Sequence, residues 1–211
     1  MIIVYRYVII DSEQRTGMDN MSKWLKVGIN VVVILANFII VAASVGFLWP
    51  IGYLYWGVKG NVARSVWKND SFLRYSGSHR PTASVIASFP NWPYVLLMAI
   101  GGAILMGAAI WFCLTLRKLL KSLAAEDYFS VANVELVRKL VYAECYMVFS
   151  NILIAGGNQL TSTWLDGYNN GVLSQTWSDV ADSVVGVVVL AVIYVTYSRA
   201  MSIKAENDLT V

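Results

Sequence analysis

Charged residues are scarce in this sequence. Asp, Glu, Lys and Arg make up 14% of its 211 residues, whereas 57% of the residues are hydrophobic. A soluble domain carries roughly 25% charged residues, so the chain has too little charge to cover a water-facing surface. The net charge is +3 and the charges are spread along the chain. No clustered basic face therefore predicts direct binding of nucleic acid.

Cysteine and histidine are also scarce. The two cysteines, Cys113 and Cys145, and the single histidine, His79, cannot supply a disulfide framework or the four ligands of a usual zinc site. Both cysteines lie in apolar stretches, which favours small buried hydrophobic side chains. No glycine-rich phosphate loop or nucleophile motif occurs, and a Ser–His–acid triad could use only His79. The sequence therefore predicts no metal, no cofactor and no enzymatic activity.

Long apolar runs are present instead. Four of them, nearly free of charge and each roughly 18 residues or longer, can cross the ~30 Å hydrocarbon core of a bilayer. They lie at Val27–Trp49, Pro93–Leu116, Leu140–Gly157 and Val180–Ser198. The fold prediction is an all-α integral membrane protein with four transmembrane helices in one bundle. Its membrane domain covers residues 25–211, with spans at about 27–49, 93–116, 140–157 and 180–198 and a short tail.

Residues 1–24 precede the first predicted span. Met1–Ile10 is apolar but too short to span, and it lacks the basic start and cleavage site of a signal peptide. One interpretation places the natural start at Met18 or Met21, so that the upstream segment is an over-extended reading frame. The other is a cytoplasmic arm, since residues 5–10 alternate loosely as in a strand.

Basic residues are divided unequally between the two sides that four spans define. Eleven of the 16 Lys and Arg lie at the termini and in the loop between spans two and three. The other five lie in the first loop on the opposite side, and residues 158–179 contain none. Cytoplasmic loops carry the Lys and Arg excess, so we expect both termini in the cytoplasm.

The first outer loop, residues 50–92, is long and rich in aromatic residues. Aromatic side chains near span ends usually form an interfacial belt, and Trp49, Trp56, Trp92 and Tyr94 occupy such positions. Packing and interfacial anchoring is one interpretation of this loop. The other is an exposed cap that recognises a ligand.

Polar side chains recur every seven residues in two of the spans. Helix one carries Asn30, Asn37 and Ser44, and helix three carries Glu144, Asn151 and Asn158. Seven residues are close to two helical turns, so each trio lies on one face of its helix. An unpartnered amide in hydrocarbon costs several kcal/mol, so these faces should meet protein or water. The simplest arrangement packs helix one against helix three, with Asn37 facing Asn151.

Glu144 is an acid within a span, which by default is a hypothesis for a functional site. One interpretation is an ion pair with Arg117 or Arg138, or a carboxylate that reaches the interface. The other is a proton or ion site.

Two further local patterns concern helices two and four. Ala99, Ala103 and Gly107 give helix two a small-residue face for close packing. Helix four is rich in β-branched residues and should have much lipid exposure. Ser178 or Asp179 is the expected N-cap of helix four, with Asp182 as the acidic residue of its first turn.

Two segments outside the spans carry a more specific pattern. The middle loop reads Glu126-Asp127-Tyr128-Phe129-Ser130-Val131-Ala132-Asn133-Val134, and the tail reads Glu206-Asn207-Asp208-Leu209-Thr210-Val211. Together they resemble the bacterial membrane proteins of domain of unknown function 2975 (DUF2975), over about Lys23 to Val211. The resemblance implies a four-span protein of the bacterial inner membrane without established activity, often encoded beside a helix-turn-helix regulator.

The residues of these two segments allow two interpretations. Ser130, with Asn133, can cap the helix that enters the membrane. Alternatively, loop and tail form one cytoplasmic docking face for a basic partner, made of Phe129, Ser130, Asn133, Glu206, Asn207, Asp208 and Leu209.

The leading functional prediction is a non-enzymatic regulatory or interaction protein that docks a cytosolic partner, for which the resemblance suggests such a helix-turn-helix regulator. The alternative is a small transporter or channel subunit that uses the polar face of helix three. Four spans make a narrow bundle, so an aqueous pore would need a homo-oligomer.

Overall fold

The computed structural model describes the backbone of residues 2–60, 62–63, 82–125, 127–128, 130–164 and 170–208. It describes the side chains of residues 23–60, 62–63, 82–125, 127–128, 130–164 and 174–207. These residues form helices and no strand. The helices are α1 (Ile2–Gly46), α2 (Leu48–Lys59), α3 (Ala83–Ser88), α4 (Asn91–Ala124), α5 (Val131–Trp164) and α6 (Asn170–Asp208).

Four helical stretches are long and apolar enough to span a membrane, as predicted. They are Lys23–Lys59, Asn91–Ala124, Val131–Trp164 and Ser174–Asn207. Each exceeds its predicted span, because polar and charged turns continue the helix beyond the apolar run. At 1.5 Å per residue, α4 is roughly 50 Å long, well beyond the ~30 Å core.

Two local predictions are wrong because helices begin earlier than expected. The strand suggested by the alternation of residues 5–10 is wrong, since α1 begins at Ile2, while the cytoplasmic arm itself stays a prediction. The N-cap predicted at Ser178 or Asp179 is wrong, since α6 begins at Asn170. Asp182 therefore lies well inside α6 rather than in its first turn.

The first span contains a break that its sequence explains. Proline lacks an N–H and its ring clashes with the carbonyl four residues earlier. Pro50 thus disfavours a regular helical bond to Gly46, where α1 ends. Phe47 stays close to helical dihedrals, with φ −62° and ψ −17°, and both α1 and α2 contact the second span.

Consecutive spans pack side by side in antiparallel order. Contacts join α1 and α2 to α4, α4 to α5, and α5 to α6. Along the first pair, Asn37 meets Arg117, whereas Gly57 meets Val95 at the other end. We call the end with Lys23, Lys118, Lys121 and Arg138 the basic end, and the end with Tyr53, Phe89 and Tyr94 the aromatic end.

The prediction that helix one (α1) packs against helix three (α5) is wrong. The substantial contacts of α1 are with α4, and those of α5 are with α4 and α6. The physical reason is that α4 and α6 cover two faces of α5, while consecutive elements usually lie next to each other. Asn37 and Asn151 therefore have partners on different helices.

The contact between α4 and α5 depends on glycine at two facing positions. A Cβ on Gly101 would lie 2.9 Å from Cγ1 of Ile154, and a Cβ on Gly157 would lie 2.6 Å from Sδ of Met98 and 3.6 Å from Cβ of Leu97. The hydroxyl of buried Ser150 donates to the carbonyl oxygen of Gly101 over 2.6 Å. The predicted small-residue face of Ala99, Ala103 and Gly107 is not the one in contact at every position. An added Cβ on Gly107 would meet nothing within 4 Å, whereas Gly101 makes the close contact.

Aromatic rings fill the core at the aromatic end. Tyr53 packs edge-on against Tyr94, with ring centroids 5.7 Å apart, and Phe89 packs against Tyr94 at 5.6 Å. Trp56 packs against Tyr53 at 5.6 Å. For these residues of the first outer loop and its edges the structure favours packing. Residues 64–81 of that loop lie outside the described residues.

We expect Gly101→Ala to destabilise the bundle. The new Cβ would also lie 3.2 Å from Cβ of Leu153 and 3.3 Å from the carbonyl oxygen of Ser150, and neither is a flexible side-chain end. Overpacking of this kind costs about 1–3 kcal/mol. The free energy of unfolding, measured by SDS titration with circular dichroism, checks this.

Gly107→Ala is the matched control. Because its Cβ meets nothing within 4 Å, only the better helix propensity of alanine remains, about 0.5–1 kcal/mol in favour of the folded state. Equal stability of the two variants would contradict the close contact between α4 and α5.

Candidate functional site

The middle loop is closed by a side-chain cap. The backbone N–H of Asn133 donates to Oγ of Ser130 over 3.3 Å, and Asn133 Nδ2 donates to the carbonyl oxygen of Asp127 over 2.6 Å. Ser130 thus acts as the N-cap of α5, in keeping with the capping interpretation. Asn133 is fully buried, and its Oδ1 has no hydrogen-bond partner among the residues that the structure describes.

The same loop is tied to the helices on either side. The hydroxyl of Ser122, in the last turns of α4, donates to Oδ2 of Asp127 over 3.3 Å. On the other side, the hydroxyl of Tyr197 in α6 donates to the carbonyl oxygen of Tyr128. The described loop residues therefore hold one position relative to α4, α5 and α6.

The proposed docking residues differ in exposure, and the structure does not describe all of their side chains. Asn133 is buried, so it shapes the loop and does not present its amide at the surface. Exposed side chains at this end include Tyr128 (41% exposed) and Val131 (76% exposed). In the tail, Glu206 and Asn207 are exposed, while Phe129, Leu209 and the side chain of Asp208 lie outside the described residues.

The polar face of helix three meets helix four. Asn151 Nδ2 donates to Oγ of Ser183 over 2.8 Å and lies 3.4 Å from the carbonyl oxygen of Asp179. About two helical turns nearer the basic end, Glu144 lies against Gly186. A Cβ added to Gly186 would be 2.7 Å from Oε1 of Glu144. Asn158 is buried. The trio thus packs into protein, with α6 as the partner of Glu144 and Asn151.

The polar residues of helix one do not form one shared face with another helix. Asn37 Oδ1 accepts from Nη1 of Arg117 over 3.0 Å. Ser44 satisfies its own hydroxyl by donating to the carbonyl oxygen of Ile40 over 2.7 Å. Asn30 is exposed. The buried stripe of α1 lies beside these residues, at Ile29, Ala36 and Ala43.

The predicted ion pair of Glu144 is wrong. Arg117 bonds to Asn37, and Arg138 pairs with Glu135 one turn away on the same helix. Within the described part of the chain, Glu144 has no hydrogen bond or ion pair. It is a half-buried carboxylate that lies against Gly186 of α6.

Sequence reasoning missed Tyr197 and Ser183, and it gave Arg117 a different partner. Tyr197 anchors the middle loop, Ser183 binds Asn151 and Arg117 binds Asn37. A tyrosine near a span end and an arginine after an apolar run are both usual interfacial anchors. Their partners depend on which helices are neighbours, which spacing along one helix does not reveal.

Comparison with known proteins identifies a family. The model of a family described as "Protein of unknown function (DUF2975)" matches residues 71–211. This match includes spans two, three and four, the middle loop and the tail, and it begins later than the Lys23 expected from the motifs. No curated protein and no solved structure matches the chain.

Proposed function

We propose that the chain, which belongs to the DUF2975 family, is a non-enzymatic membrane protein that docks a cytosolic partner at its basic end. The observation that carries the proposal is the middle loop, which hydrogen bonds hold to α4, α5 and α6. A loop fixed on several elements presents its exposed side chains in one arrangement, and binding residues are often placed on such loops.

Two exposed apolar side chains of this loop are suited to a protein partner. Val131 lies about two helical turns beyond Arg138, roughly 10 Å farther from the middle of the span. Its exposed side chain therefore faces water or the headgroup region rather than hydrocarbon. Tyr128 precedes Val131 by three residues and is also exposed. Tyrosine is enriched in protein interfaces, so we assign Tyr128 and Val131 as the contact pair.

The end of α6 supplies acidic charge near this surface. From Tyr197, which contacts the loop, the helix continues to Asp208, roughly 16 Å farther along its axis. Glu206 is exposed on this extension. From Glu206 onward the tail carries two acids and no base, which suits a basic partner, and a DNA-binding helix-turn-helix regulator is basic by its function. With the basic end in the cytoplasm, such a regulator could reach it.

A capture experiment with four forms of the protein tests the docking surface. Wild type, Val131→Asp, Val58→Asp and a form without residues 206–211 are captured from detergent extracts. Retained cytosolic proteins are then identified by mass spectrometry. Val58 is the matched control, because it is 78% exposed but lies at the aromatic end. We expect a helix-turn-helix protein on wild type and Val58→Asp, and at least fivefold less on the other two.

Two outcomes contradict the docking proposal. One is that wild type retains no such cytosolic protein reproducibly. The other is that all four forms retain it equally, which would place the contact elsewhere.

A second candidate function is a small transporter or channel subunit. The observation that favours it is Glu144, a carboxylate within a span that has no ion pair among the described residues and lies against Gly186. Acids within membrane spans commonly mark proton or ion pathways. Asn151 and Ser183 are further polar side chains between α5 and α6, farther along the same interface. Because four helices form a narrow bundle, this function would require a homo-oligomer.

Proton uptake by liposomes tests this second candidate. We expect wild type to admit protons under an imposed membrane potential, as reported by an entrapped pH-sensitive dye. Glu144→Gln should reduce the rate to that of empty liposomes, because the amide cannot bind and release a proton. Asp182→Asn, which alters an exposed acid of α6, should behave as wild type. Equal rates for wild type and Glu144→Gln, or no uptake above empty liposomes, contradict the candidate.

A further inference from the structure

A cleft opens between α1, α4 and α5 in the half of the bundle nearer the basic end. Its volume is about 370 Å³, and its walls include Leu35 and Ile39 of α1, Ala109 and Phe112 of α4, and Met147 of α5. Every lining side chain is apolar or a thiol. Unfilled space of this kind forfeits dispersion contacts, so a bilayer would fill it with hydrocarbon.

A cation lies directly beside this cleft. Leu116 lines the cleft, and the next residue, Arg117, reaches across to Asn37 on α1 with 3.0 Å between Nη1 and Oδ1. Asn37 in turn follows Ala36, another lining residue. In the described part of the chain no carboxylate pairs with Arg117. Its guanidinium has five N–H donors, and the bond to Asn37 uses one of the two nitrogens at its tip.

The position of Arg117 along the membrane normal matches a lipid headgroup. From Trp92, at the aromatic end of α4, the rise to Arg117 is roughly 38 Å. That distance exceeds the ~30 Å hydrocarbon core, so Arg117 lies at the opposite interface, where headgroups begin. The cleft extends from this level into the core, along Ala109–Leu116 of α4. One lipid molecule would therefore reach both places, with its phosphate near Arg117 and an acyl chain in the cleft.

We propose that this cleft binds an anionic phospholipid of the leaflet at the basic end, with one acyl chain between α1 and α4 and the headgroup phosphate on Arg117. Basic pockets between transmembrane helices bind anionic headgroups in this way. Arginine suits the role because its planar fork forms two parallel bonds to a phosphate. The site holds α1 against α4 over a stretch where protein side chains alone leave space.

Native mass spectrometry of the purified full chain tests the site. The probes are phosphatidylglycerol and phosphatidylcholine with identical acyl chains, each titrated into the detergent-solubilised protein. We expect one phosphatidylglycerol to bind about fivefold or more tightly than phosphatidylcholine, the factor that one basic residue contributes near a membrane surface. Arg117→Gln should abolish this preference, whereas Arg117→Lys, which keeps the charge but loses the planar fork, should keep only part of it. Lys118→Gln, at an exposed neighbour, should leave the preference unchanged.

A second variant separates the acyl-chain part of the site from the charge. Ala109→Phe fills the cleft and should weaken binding of both lipids at least fivefold. If this variant does not elute as a folded species, Leu35→Trp serves, because Leu35 lines the cleft yet is half exposed.

Several results would overturn the proposal. Equal binding of the two lipids by wild type would mean that the cleft takes an acyl chain without recognising phosphate. A preference that survives Arg117→Gln would place the anion elsewhere, and binding unaffected by a filled cleft would place the chain elsewhere. A dimer that dissociates when the cleft is filled would show a second copy as the occupant.

Discussion

The close approach of α4 and α5 determines where the other helices of this bundle can lie. In hydrocarbon, helices gain little by burying apolar surface against each other, so association depends on packing and on hydrogen bonds between helices. Gly101 and Gly157 remove the side chains that would separate α4 from α5, and Ser150 then reaches the backbone of Gly101. With this pair at the centre, α1 and α2 lie along α4, and α6 lies along α5.

The four spans could be predicted from the sequence because hydrocarbon requires long uncharged runs. The order in which the helices pack could not. Asn37 and Asn151 each occupy a face with seven-residue spacing, and the pattern is real on both helices. Spacing shows which side chains share a face, but it does not say which helix covers that face. In the structure Asn37 is hydrogen-bonded to Arg117, and Asn151 is hydrogen-bonded to Ser183. The two amides that were predicted to face each other therefore each have another partner.

The sites show the same division between local and distant contacts. The cap formed by Ser130 on Asn133 depends on residues three apart, which is why the sequence predicts it. The bond from Tyr197 to the loop joins residues far apart in the chain, and only the packing of α5 on α6 makes it. Through that bond the loop at the capped start of α5 is also attached to α6. Because Asn133 is buried, we expect the exposed side chains of Tyr128 and Val131, rather than Asn133, to contact the partner.

The most direct test of this packing order is disulfide formation between introduced cysteines, with Cys113 and Cys145 replaced by serine. A Cβ at position 157 would lie 3.6 Å from Cβ of Leu97, within the usual range for a disulfide. We expect Leu97→Cys with Gly157→Cys to cross-link on oxidation in membranes. Asn37→Cys with Asn151→Cys should remain reduced, because in the described part of the chain α1 and α5 make no substantial contact. Cross-linking of the second pair without the first would contradict the order described here.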